Sequence, residues 1–147
     1  MSINLSQADA DALIAMKKRR ADDQYYEFPG PGGKVAIPLI SIDRREDFLM
    51  DITRSHINLA KVTYQNRARQ IVVLLRLDIN GAPHRNPDGV EIACPHMHIY
   101  REDYGDKWAY PIQTGKFENL RSLNKTLEDF LAECNVIEGP NIQAVIF

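Results

Sequence analysis

Apolar and polar side chains alternate along residues 71–79, with Ile71, Val73, Leu75, Leu77 and Ile79 on one parity and Val72, Leu74, Arg76 and Asp78 on the other. Period two predicts a strand with one face in a core and the other turning polar toward its C-terminal end. Residues 61–67 alternate in the same way, Val62, Tyr64 and Asn66 against Lys61, Thr63, Gln65 and Arg67. In residues 96–101, Met97 and Ile99 take one side, while His96, His98 and Tyr100 take the other. Further strands are expected over 24–28, 35–42, 47–53, 90–92 and 107–112, with 142–147 as a terminal strand docked in the sheet. Helical spacing appears twice. Ser6 caps a helix carrying Leu5, Ala8, Ala12, Leu13 and Met16, which runs into Lys17-Lys18-Arg19-Arg20, read as a solvated helix end that complements the dipole. Residues 122–134 carry Leu123, Leu127, Phe130, Leu131 and Cys134 on one stripe.

Pro29-Gly30-Pro31-Gly32-Gly33 excludes regular structure and reads as the turn of a hairpin joining 24–28 to 35–42. Residues 80–88 form a long loop, the kind of segment that often carries function. Tyr104-Gly105-Asp106 marks a turn, and Gly139-Pro140 breaks the chain. Short consecutive strands favour antiparallel pairing over βαβ units. The expected fold is α+β: a curved antiparallel sheet or partial barrel with an N-terminal and a C-terminal helix, in a single globular domain over 1–147.

Composition changes this picture little. The 147 residues are 44% hydrophobic and 26% charged, enough for a core without staples. Net charge is −2 and pI about 6.1, which gives no global attraction to nucleic acid. Two cysteines, Cys94 and Cys134, are too few for a disulfide framework. The start is polar, and no apolar run approaches the roughly 20 residues of a membrane span. A cytoplasmic protein with no membrane partner is expected.

The candidate chemistry centres on Pro95-His96-Met97-His98-Ile99-Tyr100. Two imidazoles on one strand face stand about 7 Å apart along the strand. If residues 71–79 pair antiparallel with this strand, Arg76 and Asp78 lie beside His96, His98 and Tyr100. His84, in the intervening loop, can fold back over them. Histidines exchange protons near neutral pH, and arginine stabilises developing negative charge. The expected catalytic set is His84, His96, His98 and Arg76, with Tyr100 assisting; Asp78, Arg101 and Lys107 are expected to bind substrate. No metal and no cofactor are assigned to that set. Used differently, His96 and His98 supply two metal ligands, with a third from His84, Asp78 or Glu102. The string His96-x-His98-x-x-x-Glu102 resembles the first metal motif of cupins. Its spacing from Gly89 is one residue long, however, and the second motif is missing where the helix over 122–134 is expected. The bland reading leaves both imidazoles solvated or bonded to a neighbouring carboxylate.

Other strings resemble a family of small uncharacterised bacterial proteins found in genome-island or prophage-like contexts. They are Asn58-Leu59, Thr63-Tyr64-Gln65, Leu75-Arg76-Leu77-Asp78-Ile79-Asn80-Gly81, Pro83-His84, Asn86-Pro87-Asp88-Gly89, Pro95-His96, His98-Ile99-Tyr100-Arg101 and Asp106-Lys107-Trp108. The resemblance covers roughly residues 45–112. It implies a bacterial or phage origin and carries no activity with it.

Three functions are expected from these residues. The first is a metal-independent ribonuclease of toxin or defence type, acting on RNA. The second is a protein-binding module of inhibitor or antitoxin kind, suggested by the aromatic residues around 100–110. The third is a metal-dependent enzyme built on the His-x-His pair.

Overall fold

The computed structural model describes residues 4–113 and 115–143. Helix α1 (Gln7–Ala15) starts at Ser6, whose hydroxyl accepts from the Asp9 amide, as its sequence predicts. Twelve strands follow among the described residues: β1 (Lys18–Arg20), β2 (Tyr25–Glu27), β3 (Lys34–Ser41), β4 (Asp47–Arg54), β5 (Val62–Ala68), β6 (Val72–Ile79), β7 (His84–Arg85), β8 (Glu91–Ile92), β9 (His96–Ile99), β10 (Ala109–Pro111), β11 (Val136–Glu138) and β12 (Asn141–Gln143). Helix α2 (Leu123–Glu133) lies between β10 and β11, with Ser122 as its N-cap.

The main sheet has the order β10-β9-β6-β5-β4-β3-β1-β11. Every neighbouring pair is antiparallel except β1 and β11, which are parallel. The sheet is therefore mixed and open, with β10 and β11 at opposite edges. This corrects the expected curved antiparallel sheet or partial barrel. The local alternation identified the strands but carried no information on closure. Both helices feed the core on the sheet's apolar face, where Leu13, Tyr64, Leu127 and Phe130 are buried together. Tyr64 fixes α2 by donating to the Leu123 carbonyl at 3.0 Å. An apolar face covered by helices has no need to curl on itself.

Three local expectations also change. The basic run is not a helix end, because α1 stops at Ala15 and Lys18 opens a strand. Lys18 is fully buried; its ammonium donates to the carbonyls of Ile14, Met16 and Cys134 and lies over the Phe48 ring. The hairpin of 24–28 with 35–42 does not form: β2 pairs in parallel with β12 in a separate small sheet, while β3 lies between β1 and β4. Of the expected terminal strand, residues 144–147 lie outside the described residues, and β12 joins β2 rather than the main sheet.

Strand β6 also departs from strict alternation. Its register with β5 shifts between Asn66 and Arg67, leaving Leu74 as the extra residue of a bulge. Val72 before the bulge, Leu74 within it, and Leu75, Leu77 and Ile79 after it are all buried, whereas Ile71 is exposed. The bulge leaves Arg76 and Asp78 on the polar face, as their alternation predicts.

Candidate functional site

The registers align a row of residues across five strands: Lys34, Thr53, Thr63, Asp78 and His96 are successive partners from β3 to β9. A second row, Ala36, Asp51, Gln65, Arg76 and His98, runs beside it. Two residues apart on each strand means one shared face. This is the sheet face opposite the helices. Met97 and Ile99 point the other way and line a small apolar cavity of about 240 Å³.

Asp78 is the hub of the polar face. Its Oδ2 lies 3.1 Å from His96 Nε2 and 3.0 Å from His98 Nε2, and its Oδ1 accepts from the Thr63 hydroxyl at 3.0 Å. Burial alone would push the Asp78 carboxyl up. Hydrogen bonding and positive charge at His98, the Arg76 guanidinium and the Thr63 hydroxyl outweigh it and hold Asp78 well below the usual carboxylate range.

Backbone carbonyls orient both imidazoles. His98 Nδ1–H donates to the Asp106 carbonyl at 2.7 Å, and His96 Nδ1–H to the Ala93 carbonyl at 3.3 Å. A carbonyl only accepts, so each Nδ1 carries a proton, and a ring in its neutral form presents an Nε2 lone pair. Two such lone pairs and a carboxylate oxygen then face one another, all within 4.8 Å. Neutral rings place no proton between them. A cation or an added proton is required to make the arrangement favourable.

The loop after β6 folds back over this group. The short β7–β8 ladder shapes it, and Asn86 pins it to the edge strand β10. The Asn86 side chain donates to the Ala109 carbonyl at 2.9 Å and accepts from the Ala109 amide at 2.8 Å, replacing a missing strand partner. His84 Nε2–H donates to the Lys107 carbonyl at 2.7 Å, and the ring packs 4.6 Å from that of His98 and 6.0 Å from that of His96. The histidine face is consequently buried, His96 2% and His98 1% exposed, rather than the solvated surface that alternation alone suggested. A cavity of about 430 Å³ opens beside it, lined by Lys61, Thr63, Arg76, Asp78, His84 and His96 among others.

The structure thus brings His84, His96, His98, Arg76 and Asp78 together. It separates the remaining candidates from them. The buried Tyr100 hydroxyl accepts from the Leu5 amide at 2.7 Å and donates to the Leu5 carbonyl, tying the chain before α1 to β9. Arg101 lies over the Trp108 ring at 4.2 Å. Lys107 is exposed and meets His84 through its carbonyl. Glu102 accepts from the Gln7 amide at the start of α1, which leaves Asp78 as the third potential ligand. Thr63 and Lys61 join this group although the sequence alone assigns them no role; their parity on residues 61–67, beside that of Arg76 and Asp78, is the sequence signal for it.

Fold and site together define an α+β protein with an open mixed sheet whose polar face carries a buried Asp-His-His cluster. The chain belongs to a family of unknown function (DUF6978), which it matches over residues 5–136. No curated protein and no solved structure matches it. Among the described residues, no helix is long and apolar enough to cross a membrane.

Proposed function

We propose that this protein is a metal-dependent enzyme whose divalent cation is held by Asp78, His96 and His98. The observation that carries this reading is the convergence of two carbonyl-oriented Nε2 atoms on one Asp78 oxygen. Nitrogen and oxygen ligands about 2.1 Å from one ion and at right angles lie about 3.0 Å apart. The observed Oδ2–Nε2 separations of 3.1 and 3.0 Å match that spacing for two of the three ligand pairs, and the third, Nε2 to Nε2, lies within 4.8 Å. Two histidines and one carboxylate also leave coordination positions open, as catalytic sites do. A cation there would supply Lewis acidity to a substrate in the adjoining cavity. His84, with its Nε2 committed to the Lys107 carbonyl, keeps Nδ1 as a proton acceptor beside the cluster. Thr63 holds the second Asp78 oxygen and so orients the carboxylate. A reducing, cytoplasmic setting belongs to this reading, with Cys94 and Cys134 as free thiols.

A second reading keeps the same side chains without a metal, as a ribonuclease of bacterial toxin or defence systems. The contact that favours it is the Arg76 N–H donated to His98 Nε2 at 3.0 Å, beside a third imidazole. The deciding experiment dialyses the purified protein against chelator and titrates it with Mn²⁺, Fe²⁺, Co²⁺ and Zn²⁺. One equivalent bound by the parent and lost in Asp78→Asn supports the metal centre. No binding, together with RNA cleavage in chelator that His96→Ala abolishes, replaces it with the ribonuclease.

A further inference from the structure

Arg76 already touches the atoms that the cation would use. One terminal nitrogen, NH2, lies 3.0 Å from His98 Nε2 and 3.4 Å from Asp78 Oδ2. The other, NH1, donates to Asp106 Oδ2 at 2.9 Å. Its Nε is buried and has no hydrogen-bond partner among the described residues. A neutral imidazole with its proton on Nδ1 has one lone pair at Nε2. That lone pair binds either the Arg76 N–H or a metal ion, never both at once.

We propose that Arg76 is the stand-in cation of the empty cluster, and that metal loading frees the NH2–Nε edge of its guanidinium, with NH1 staying on Asp106, to bind an anionic group of the substrate in the neighbouring cavity. This rests on the metal reading above and names its substrate class: a molecule carrying a phosphate or carboxylate next to the reacting centre. Three observations carry it. The buried Nε, without a partner among the described residues, is a donor that this pose leaves unused, and a buried unused donor is unfavourable. Arg76 lines the cavity, so release moves it toward substrate rather than into the core. Lys61 lines the same cavity, and its ammonium forms no ion pair among the described residues. Arg67, farther along the face, is by contrast committed to both oxygens of Asp51. A divalent cation, Arg76 and Lys61 together outweigh Asp78 and Asp106 and leave the cavity with surplus positive charge. The planar fork of arginine matches a phosphate or carboxylate edge.

Metal and anion must then help each other to bind, by the reciprocity of linked equilibria. The test measures Mn²⁺ affinity of the parent and of Arg76→Gln by calorimetry, alone, with inorganic phosphate, and with acetate. Without an added anion, Arg76→Gln is expected to bind Mn²⁺ about tenfold more tightly, because no guanidinium competes for His98. Phosphate is expected to tighten Mn²⁺ binding to the parent by about fivefold or more and to leave Arg76→Gln unchanged. A larger effect of acetate than of phosphate assigns the anion as a carboxylate. Arg76→Lys, which keeps the charge without the fork, serves if Arg76→Gln does not fold; it too is expected to bind Mn²⁺ more tightly than the parent, with a weaker phosphate effect. Equal or weaker Mn²⁺ affinity in the variants, or a phosphate effect that survives Arg76→Gln, overturns the proposal while the metal centre stands. Absence of Mn²⁺ binding in every protein overturns the metal reading, and this inference with it.

Discussion

Asp78 and His96 are direct partners across the β6–β9 ladder, and their side chains meet 3.1 Å apart. Two residues along, Arg76 and His98 are partners in turn and meet at 3.0 Å. The cluster is therefore written in the register of one antiparallel pair. A slip of one residue would send both histidines to the apolar face and dismantle the site. Paired strands supply the Asp-His-His group, while the loop supplies His84 and helps bury the two imidazoles. Precise placement on the strands suits metal ligation, which tolerates little displacement.

Tyr100→Phe is expected to lower stability by about 1 kcal/mol, through loss of its hydrogen bonds to Leu5. Metal affinity should not change, because the phenol lies at α1 rather than at Asp78. Denaturant unfolding and a metal titration on the same preparation check both parts. An affinity loss of tenfold or more would return Tyr100 to the site.

Asn86→Ala removes the two hydrogen bonds that pin the loop to β10. The expected loss is about 1–3 kcal/mol, since the Ala109 amide and carbonyl are left without that partner. Hydrogen exchange at the Ala109 amide should accelerate, and His84 should lose its fixed position over His98. Unchanged exchange at Ala109 would show that the loop is held elsewhere.

Leu77→Ala is expected to destabilise by about 2–5 kcal/mol, because Leu77 is fully buried among strands and helices. Ile99→Ala should cost about 1 kcal/mol, since Ile99 is half-buried against an existing cavity and leaves less new void. Equal losses in chemical denaturation would mean that the cavity beside β9 closes around Ile99.

Lys18 ties stability to pH. Burial pushes its ammonium down from 10.5 to about 8 in the fold. Between those values the unfolded chain binds the extra proton, so raising the pH through that window favours the folded state. Below about pH 8 both states are protonated and the penalty is constant. The difference in Tm between the parent and Lys18→Met should therefore shift in favour of the parent from pH 8 to pH 10. A pH-independent difference would mean that Lys18 keeps its ordinary proton affinity.

Much of this molecule is legible in the order of its residues. Ser6 marks the first helix start, the apolar stripe over 122–134 marks the second helix, and period-two runs mark the strands β5, β6 and β9. The opposition of His96 and His98 to Met97 and Ile99 follows from side-chain alternation, a property of the backbone itself. The pairing of Arg76 and Asp78 with the histidine strand was an inference from their common polar parity. Membership of His84 in the same group rested on a loop long enough to return.

Tertiary structure decided the rest. Whether the sheet closes depends on what covers its apolar face, and α1 and α2 cover it. Lys18 became a buried strand residue because three backbone carbonyls converge on its ammonium, a partnership distant in sequence for Cys134. Tyr100 left the site because Leu5, 95 residues away, offers its hydroxyl both an amide and a carbonyl. The proton positions of His96 and His98 are governed by the carbonyls of Ala93 and Asp106, groups that every residue possesses. Residue order alone specifies which side chains can share a face. Only the folded backbone determines which lone pairs meet, and that meeting is what turns a His-x-His strand into a candidate metal centre.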